Sequence, residues 1–409
     1  FYSIDWCNDT LAVGYDYWWN TRNTKAYMFN PSNINKEPEI IIDRNYQDRY
    51  NDPGSFVKKR NSYGKSLLAI NEQNLYLMGD GLRDDGQFPF IDQMNLKSLK
   101  KVRLYESTYK DKMEDLIDFD VDAKMILTRI ESATEYPNYF FRDLKANDIK
   151  RITSFDNPFS SITEVSKEVI EYKRSDGIDL SATLYLPKGY DINKKQRLPM
   201  IMWAYPREFK DKNSASQVTQ NKNEFTFPFW GSPIYWLTRG YIVLDDVSFP
   251  IIGEGDYQPN DNFRKQLVDN ATAAINKVHD LGYIDKEKVA IGGHSYGAFM
   301  VANLLSHSNL FAAGIARSGA YNRTLTPFGF QSEERNYWEA PDIYYSMSPF
   351  MHADKVKTPL LLIHGEEDNN SGTYPLQSER YFNALKGLGA TTRLVMLPKE
   401  SHSYRAKES

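Results

Sequence analysis

The segment Val289–Met300 is the feature that most restricts what this chain can fold into. It reads VAIGGHSYGAFM, which is an apolar run, the pattern G-x-S-x-G at Gly293–Gly297, and a run of apolar residues suited to a helix. A continuous apolar run suits a strand that is buried on both faces of a parallel sheet. Glycines allow a sharp turn, because neighbouring chain can pass close where no Cβ is present. The segment therefore predicts a strand, a tight turn and a helix within an α/β domain.

Strand and helix signals alternate over the remainder of residues 161–409. The apolar strand candidates are Val169–Tyr172, Leu180–Leu186, Met200–Ala204, Tyr241–Leu244, Val289–Gly292, Ala312–Ala316, Leu360–His364 and Thr392–Leu397. The helix candidates are Asn262–Leu281, which has an apolar stripe at helical spacing, Tyr296–Ser306 and Gln377–Leu388. Two leading antiparallel strands followed by this alternation are typical of the α/β-hydrolase fold, which has a mostly parallel sheet. We predict such a domain over residues 161–409.

Residues 1–160 have a different pattern, in which short strand-like runs alternate with turn clusters. Three windows resemble one another: Leu11–Ile42, Asn74–Tyr105 and Lys124–Phe155. Strand-rich units repeated at this spacing predict blades of a β-propeller, and an irregular domain of antiparallel hairpins is the alternative. Because propellers normally have about four to eight blades, about three blades predict only a partial propeller in this chain.

Composition excludes several classes of function. The formal net charge of −4 provides no basic field for nucleic acid. The single cysteine, Cys7, rules out an intrachain disulfide and a cysteine-based metal site, and no motif indicates a metal or another cofactor. We expect no membrane span, because no stretch reaches 18 uncharged apolar residues. Oligomeric state is not determined by the sequence.

The start of the chain suggests that it belongs to something longer. Residues 1–10 contain no initiating Met and resemble no signal peptide, so we expect the C-terminal part of a longer protein. The compartment is not defined by the sequence. An exported or periplasmic location would require a signal peptide in the longer protein.

The G-x-S-x-G turn places Ser295 where a nucleophile is needed. In the nucleophile elbow this serine projects from the carboxyl end of a strand, at the beginning of a helix. The helix dipole favours negative charge that develops there. The backbone N–H of Tyr296 follows the nucleophile and would supply half of an oxyanion hole. The alternative is a glycine-rich turn with an incidental serine.

Chain order then identifies an acid and a base. The fold orders its triad as serine, acid, histidine, and the loop after strand Leu360–His364 offers Glu366, Glu367 and Asp368. His402 is the one histidine of six that follows these acids, on the loop after the final strand candidate. It would take the proton of the Ser295 hydroxyl, and the acid would fix its tautomer. Each of the three acids could instead be a solvated loop charge.

With these residues identified, residues from about 160 to 409 resemble the prolyl oligopeptidase family of serine peptidases. The family motif H-G-x-x-D occurs as His364–Asp368, and this resemblance selects Asp368 as the acid. Several stretches look most like the glutamyl endopeptidase branch: Trp203–Phe209, Gly293–Met300, Ala316–Phe330, Trp338–Ala340, Met347–Phe350 and Gln377–Arg380. Residues 1–160 match only loosely, as late propeller blades.

The resemblance implies further features. It implies a serine peptidase that acts on peptides, with a propeller over the active site that excludes folded proteins. It implies that the hydroxyl of Tyr205 is the second oxyanion donor. Cleavage after glutamate needs a cation at the P1 site, and the candidates are Arg207, Arg317, Arg323 and Arg335. Any one of these arginines could instead belong to a structural ion pair.

One departure from the family pattern concerns the base. The catalytic histidine of the family usually has a glycine beside it, whereas His402 lies between Ser401 and Ser403. These side chains restrict the loop. Two other functions remain beside the peptidase. One is a general esterase or acyl hydrolase on the same fold, because such a triad attacks both esters and amides, and the other is a non-catalytic binding module that has kept the fold.

Overall fold

A computed structural model describes residues 1–33, 35–163, 165–194, 196–229 and 231–406, and these residues form two compact units. The first unit is Phe1–Thr163 together with Gln217–Thr226. The second unit is Glu164–Ser216 together with Phe227–Ser409. The chain thus leaves the second unit once, for a short segment, and returns to it.

The first unit is built from three four-stranded antiparallel sheets. The first sheet contains β1 (Ser3–Asn8), β2 (Leu11–Trp18), β3 (Asn23–Phe29) and β4 (Glu39–Asn45). The second contains β5 (Ser55–Phe56), β8 (Asn74–Gly79), β11 (Phe90–Asn95) and β12 (Lys101–Glu106). Two small hairpins are separate from it: β6 (Lys58–Arg60) pairs with β7 (Ser66–Leu68), and β9 (Leu82–Arg83) pairs with β10 (Gly86–Gln87). The third contains β13 (Met113–Asp120), β14 (Met125–Glu131), β15 (Asn138–Asp143) and β16 (Asp148–Arg151). Each similar window of the sequence supplies the last three strands of one sheet.

The side chains of strand β8 alternate between two apolar clusters of this unit. Leu75 and Leu77 pack into one apolar cluster, and Tyr76 between them packs into another. Successive side chains of a strand point to opposite faces, so one strand contributes to both clusters. The inserted segment is fixed by polar contacts, since the side chain of Gln217 accepts the backbone N–H of Arg49 at 2.7 Å.

The second unit contains an eight-stranded sheet. Its strands are β17 (Ser166–Lys173), β18 (Asp179–Leu186), β19 (Leu198–Ala204), β21 (Ile242–Val247), β23 (Ile284–His294), β24 (Ala313–Arg317), β25 (Leu360–Gly365) and β26 (Thr392–Leu397). Their order in the sheet is β17-β18-β21-β19-β23-β24-β25-β26. From β21 to β26 in this order each strand is parallel to the next, whereas β18 is antiparallel to both of its neighbours. This is the arrangement of an α/β-hydrolase domain, with the carboxyl ends of the parallel strands along one edge.

Helices cover the sheet and complete its core. They are α2 (Lys212–Ala215), α3 (Phe263–Asp280), α4 (Tyr296–His307), α5 (Pro341–Met347) and α6 (Leu376–Gly387), with 3₁₀ turns at Pro233–Arg239, Pro259–Asn262, Arg323–Leu325 and Pro349–Lys355. The short helix α1 (Ser160–Thr163) belongs to the first unit. Helix α4 is buried almost throughout, so it lies inside the domain. Within the described residues, none of the helices has the length and apolarity to cross a membrane.

The structure extends or adds several strands. Strand β23 begins at Ile284, five residues before the predicted start, because Ile284 pairs with Leu198 of β19. Two short strands, β20 (Arg207–Phe209) and β22 (Pro250–Ile252), form a separate parallel pair that the apolar pattern did not predict. Strand β20 begins two residues after Tyr205.

Candidate active site

Ser295 occupies a strained turn between β23 and α4. Its backbone has φ 59° and ψ −116°, a conformation that residues with a side chain rarely adopt. Its N–H donates to the carbonyl of Arg317 at 2.8 Å, which ties the turn to the end of β24. Strain of this kind concentrates at functional sites, where surrounding contacts maintain it.

The two glycines of the motif allow the chain to close around this turn. A Cβ on Gly293 would lie 2.5 Å from the backbone of Gly297, and a Cβ on Gly297 would lie 2.7 Å from the carbonyl oxygen of Ala204. Both distances are well inside van der Waals contact. Each glycine is therefore required by close backbone approach.

His402 lies between Ser295 and Asp368 and is within hydrogen-bond distance of each. Its Nε2 is 3.0 Å from Ser295 Oγ, and its Nδ1 is 2.8 Å from Asp368 Oδ2. A carboxylate only accepts, so Nδ1 carries the proton and Nε2 is free to accept from the serine hydroxyl. This arrangement suits general-base activation of a serine.

Asp368 is buried and surrounded by donors, whereas Glu366 and Glu367 are exposed. Burial opposes ionisation of Asp368, but hydrogen bonds from His364, His402 and the backbone of Asn370 outweigh it and hold the pKa of this carboxyl well below its usual value. Asp368 is therefore ionised at neutral pH and able to stabilise an imidazolium at His402.

The loop that carries His402 is anchored on both sides of the histidine. The carboxylate of Glu400 accepts the backbone N–H groups of Arg405 and Ala406, each at 2.8 Å. The hydroxyl of Tyr404 donates to the carbonyl of Ile363 at 3.1 Å and lies 2.8 Å from Ser318 Oγ. The positive φ of this loop falls at Lys399 (62°), so the turn is made before the serines that flank His402.

The two predicted oxyanion donors, Tyr296 and Tyr205, both line the pocket that contains Ser295. Tyr296 is the first residue of α4, where a backbone N–H has no intrahelical acceptor. Its side chain is buried, and the hydroxyl donates to Glu208 Oε1 at 2.6 Å. Tyr205 follows β19 and is 45% exposed. Burial and the nearby Glu208 raise the pKa of Tyr205, against hydrogen bonding with Gln331 and Ser295.

A pocket of about 290 Å³ lies beside the serine, and one predicted arginine lines it. Its wall includes Tyr205, Ser295, Arg323, Gln331 and Thr373. The other three arginines, Arg207, Arg317 and Arg335, are not among the residues that line it.

Three residues of the site were not assigned a role from the sequence. His364 and Thr373 both contact the carboxylate of Asp368, and Gln331 lines the pocket with a positive φ of 51°. His364 is the first residue of the H-G-x-x-D motif, so its place in that motif was the available signal. No comparable pattern marks Thr373 or Gln331. Among the residues that the structure describes, no group of three or more His, Cys, Asp or Glu is arranged to hold a metal ion.

Comparisons with known proteins find two peptidase families and several similar proteins. Residues 258–409 match the model of the prolyl oligopeptidase family, and residues 176–324 match that of the X-Pro dipeptidyl-peptidase (S15) family. Proteins named probable glutamyl endopeptidase, chloroplastic, from Arabidopsis thaliana and Oryza sativa subsp. japonica are 46% and 45% identical over 99% of this chain. The chain spans only 44% and 45% of their lengths.

Solved structures show the same fold at low identity. A putative dipeptidyl aminopeptidase IV from Bacteroides ovatus superposes with a TM-score of 0.67 and 15% identity, covering 99% of this chain and 64% of that one. A puromycin hydrolase superposes with a TM-score of 0.63, also at 15% identity, covering 99% of this chain and 66% of that one.

Fold and site together define the class of this protein. It has an α/β-hydrolase domain and a β-rich region, and hydrogen bonds join a serine, a histidine and an aspartate in the hydrolase domain. The more specific assignment rests on the matches. Residues 258–409 carry a domain of the prolyl oligopeptidase family of serine-type peptidases.

Proposed function

We propose that this chain hydrolyses peptide bonds through an acyl-enzyme on Ser295, with a preference for glutamate at P1. The observation that carries the proposal is the position of His402, whose two ring nitrogens lie 3.0 Å from Ser295 Oγ and 2.8 Å from Asp368 Oδ2. The preference for glutamate is supported by the names of the plant relatives and by an arginine in the pocket beside the serine.

The chemistry follows from the roles of these groups. His402 Nε2 takes the hydroxyl proton while Ser295 Oγ attacks the substrate carbonyl, and the oxyanion that forms accepts hydrogen bonds from Tyr296 N–H and the Tyr205 hydroxyl. His402 then gives the proton to the leaving amine, which leaves an acyl group on Ser295. Water, activated by the same histidine, releases the acid and restores the serine.

The first unit has a proposed architecture of its own. We infer that its three four-stranded sheets are blades of a partial β-propeller, with the domain boundary near residue 160. The alternation of β8 side chains between two apolar clusters supports this, because inner strands of stacked blades are buried on both faces.

Hydrolysis of matched chromogenic peptides with Glu, Pro, Ala or Lys at P1 tests the proposal, with Ser295→Ala as the control. Cleavage after Glu that is lost in Ser295→Ala is expected. Cleavage after Pro or Ala would keep the mechanism and reject the preference. Hydrolysis of activated esters alone would favour the acyl hydrolase, and failure of a fluorophosphonate probe to label Ser295 would favour a non-catalytic module.

A further inference from the structure

The four candidate arginines differ in what already occupies their guanidinium groups. Arg335 is taken up by carboxylates: it lies 2.7 and 2.8 Å from the two oxygens of Glu333 and 2.9 Å from Asp261. The Glu333 hydrogen bonds, followed by that of Asp261, raise the pKa of Arg335 despite burial. An arginine held by two carboxylates has few donors left for a substrate.

Arg317 and Arg207 lie outside the pocket. Arg317 donates to the carbonyl of Gly231 at 3.1 Å, and its guanidinium lies 4.6 Å from the ring centroid of Trp203. Arg207 is exposed on β20. Of the four, Arg323 alone lines the pocket that contains Ser295.

The guanidinium of Arg323 is buried among aromatic rings and lacks a carboxylate partner. The residue is 4% exposed, and its guanidinium carbon lies 4.1 Å and 4.5 Å from the ring centroids of Phe299 and Phe330. Within the described part of the chain, its side chain forms no hydrogen bond or ion pair, and its Nε is buried without a partner. Burial lowers the pKa of Arg323 to about 10, against opposing charges that include Glu208.

A buried cation without a charged partner favours the binding of an anion. Burying a charge is costly unless it is paired, and ring faces compensate only part of the loss of hydration. The charge of Glu208 raises the pKa of Arg323. The Glu208 carboxylate itself accepts a hydrogen bond from the Tyr296 hydroxyl at 2.6 Å. The planar donor fork of an arginine matches a carboxylate in two parallel hydrogen bonds.

We infer that Arg323 binds the side-chain carboxylate of a P1 glutamate in the pocket beside Ser295, with Phe330 as the apolar wall. The inference rests on the proposed peptidase activity and names the group that determines its specificity. The other three arginines have structural roles or lie on the surface.

The test compares kcat/KM for two peptides that differ only in Glu or Gln at P1, since the amide has the same shape without the charge. In the unmodified chain the Glu-to-Gln ratio should be roughly 10 to 100, the range for a charge-assisted pair in a desolvated site. Arg323→Met keeps length and contact with the rings and should bring the ratio close to one. Arg323→Lys keeps a cation without the fork and should give an intermediate ratio. Arg207→Gln, the matched control on the surface, should keep the ratio of the unmodified chain.

Each outcome supports or overturns the inference. The ratio is measured within one variant, so a general loss of activity cancels, and thermal unfolding verifies that each variant is folded. If Arg323→Met does not fold, the ratio for Arg323→Lys decides, and an unchanged ratio there overturns the inference. A retained preference in Arg323→Met, or its loss in Arg207→Gln, also overturns it. Hydrolysis without a preference by the unmodified chain rejects this inference alone, whereas no hydrolysis of any peptide rejects the proposed function as well.

Discussion

His364 Nε2 lies 3.0 Å from the same Oδ2 oxygen of Asp368 that accepts the hydrogen bond from His402. Both Asp368 and His364 are buried, and His364 is held in turn by the carbonyl of Thr373 at 2.6 Å from Nε2 and by Ser378 Oγ at 2.6 Å from Nδ1. Because Nε2 faces two acceptors, it carries a proton. His364 thus helps to hold the carboxylate that accepts the hydrogen bond from His402.

We therefore expect His364→Leu to reduce kcat roughly 10- to 100-fold with little change in KM, since a hydrogen bond to a charged group contributes about 1.5–3 kcal/mol. Steady-state kinetics on a P1 Glu peptide measures both constants. Ser378→Ala is the matched control, because it removes the Nδ1 contact and leaves the contact with Asp368. A folded His364→Leu chain with unchanged kcat would show that the carboxylate is positioned without this histidine.

Tyr205→Phe should separate transition-state stabilisation from binding. If the Tyr205 hydroxyl donates to the oxyanion, its removal should lower kcat about 100- to 1,000-fold with a small change in KM. The residue is 45% exposed, so the loss of one oxygen should cost little stability. The measurement is kcat and KM together with thermal unfolding. Equal kcat in the variant and the unmodified chain would remove Tyr205 from the oxyanion hole.

The main outline of the hydrolase domain was predictable because its signals are local. The apolar run at Val289 and the glycines around Ser295 predict a strand and a tight turn, and the structure has β23, the strained serine and α4 in that order. Chain order also drew attention to His402. These features depend on neighbouring residues or on sequence order, which a single sequence contains.

Other features depend on how distant loops meet, and the sequence carried no local sign of them. The hydroxyl of Thr373 lies 3.2 Å from Asp368 Oδ2 and 3.1 Å from His402 Nδ1, so it depends on the meeting of the loops after β25 and β26. The burial of Arg323 requires Phe299 from α4 and Phe330 from its own loop to close on it. Four arginines in similar positions therefore could not be ranked before their partners were known.

The close approach at the serine turn gives a prediction about stability. Gly297→Ala would put a Cβ 2.7 Å from the carbonyl oxygen of Ala204, so the strand or the helix must shift. We expect a loss of about 1–3 kcal/mol in the free energy of unfolding and a marked fall in kcat, because Ser295 lies on the displaced turn. Urea unfolding and peptide hydrolysis measure the two effects.

Gly387→Ala is the control for that substitution. Gly387 is the last residue of α6, and a Cβ there would meet no heavy atom within 4 Å. Alanine is favoured over glycine in a helix, so this variant should be as stable as the unmodified chain or slightly more stable. Equal effects of the two substitutions would mean that the contact with Ala204 is not the cause.

The lowered pKa of His294 predicts that the free energy of unfolding falls at acid pH. Burial, followed by the charges of Arg317 and His402, lowers the pKa of His294 to about 4, and its ring lies 4.9 Å from that of His402. A histidine in the unfolded chain has a pKa near 6.5, so between about pH 4 and 6.5 the unfolded state binds more protons. The stability that the neutral side chain of His294 contributes is therefore fully present above pH 6.5 and is lost as the pH falls towards 4.

His294→Gln should reduce this loss by at most about 1.4 kcal/mol per pH unit, the value for one proton. His307, whose pKa burial also lowers to about 4, acts in the same direction, and Asp245, whose pKa burial raises to about 6, acts in the opposite one. Both remain in the variant and cancel in the comparison. Urea unfolding from pH 4 to 8 measures the two profiles, which should run parallel above pH 6.5 and converge below it. Profiles that stay parallel down to pH 4 would show that His294 gains its proton as readily in the folded chain as in the unfolded one.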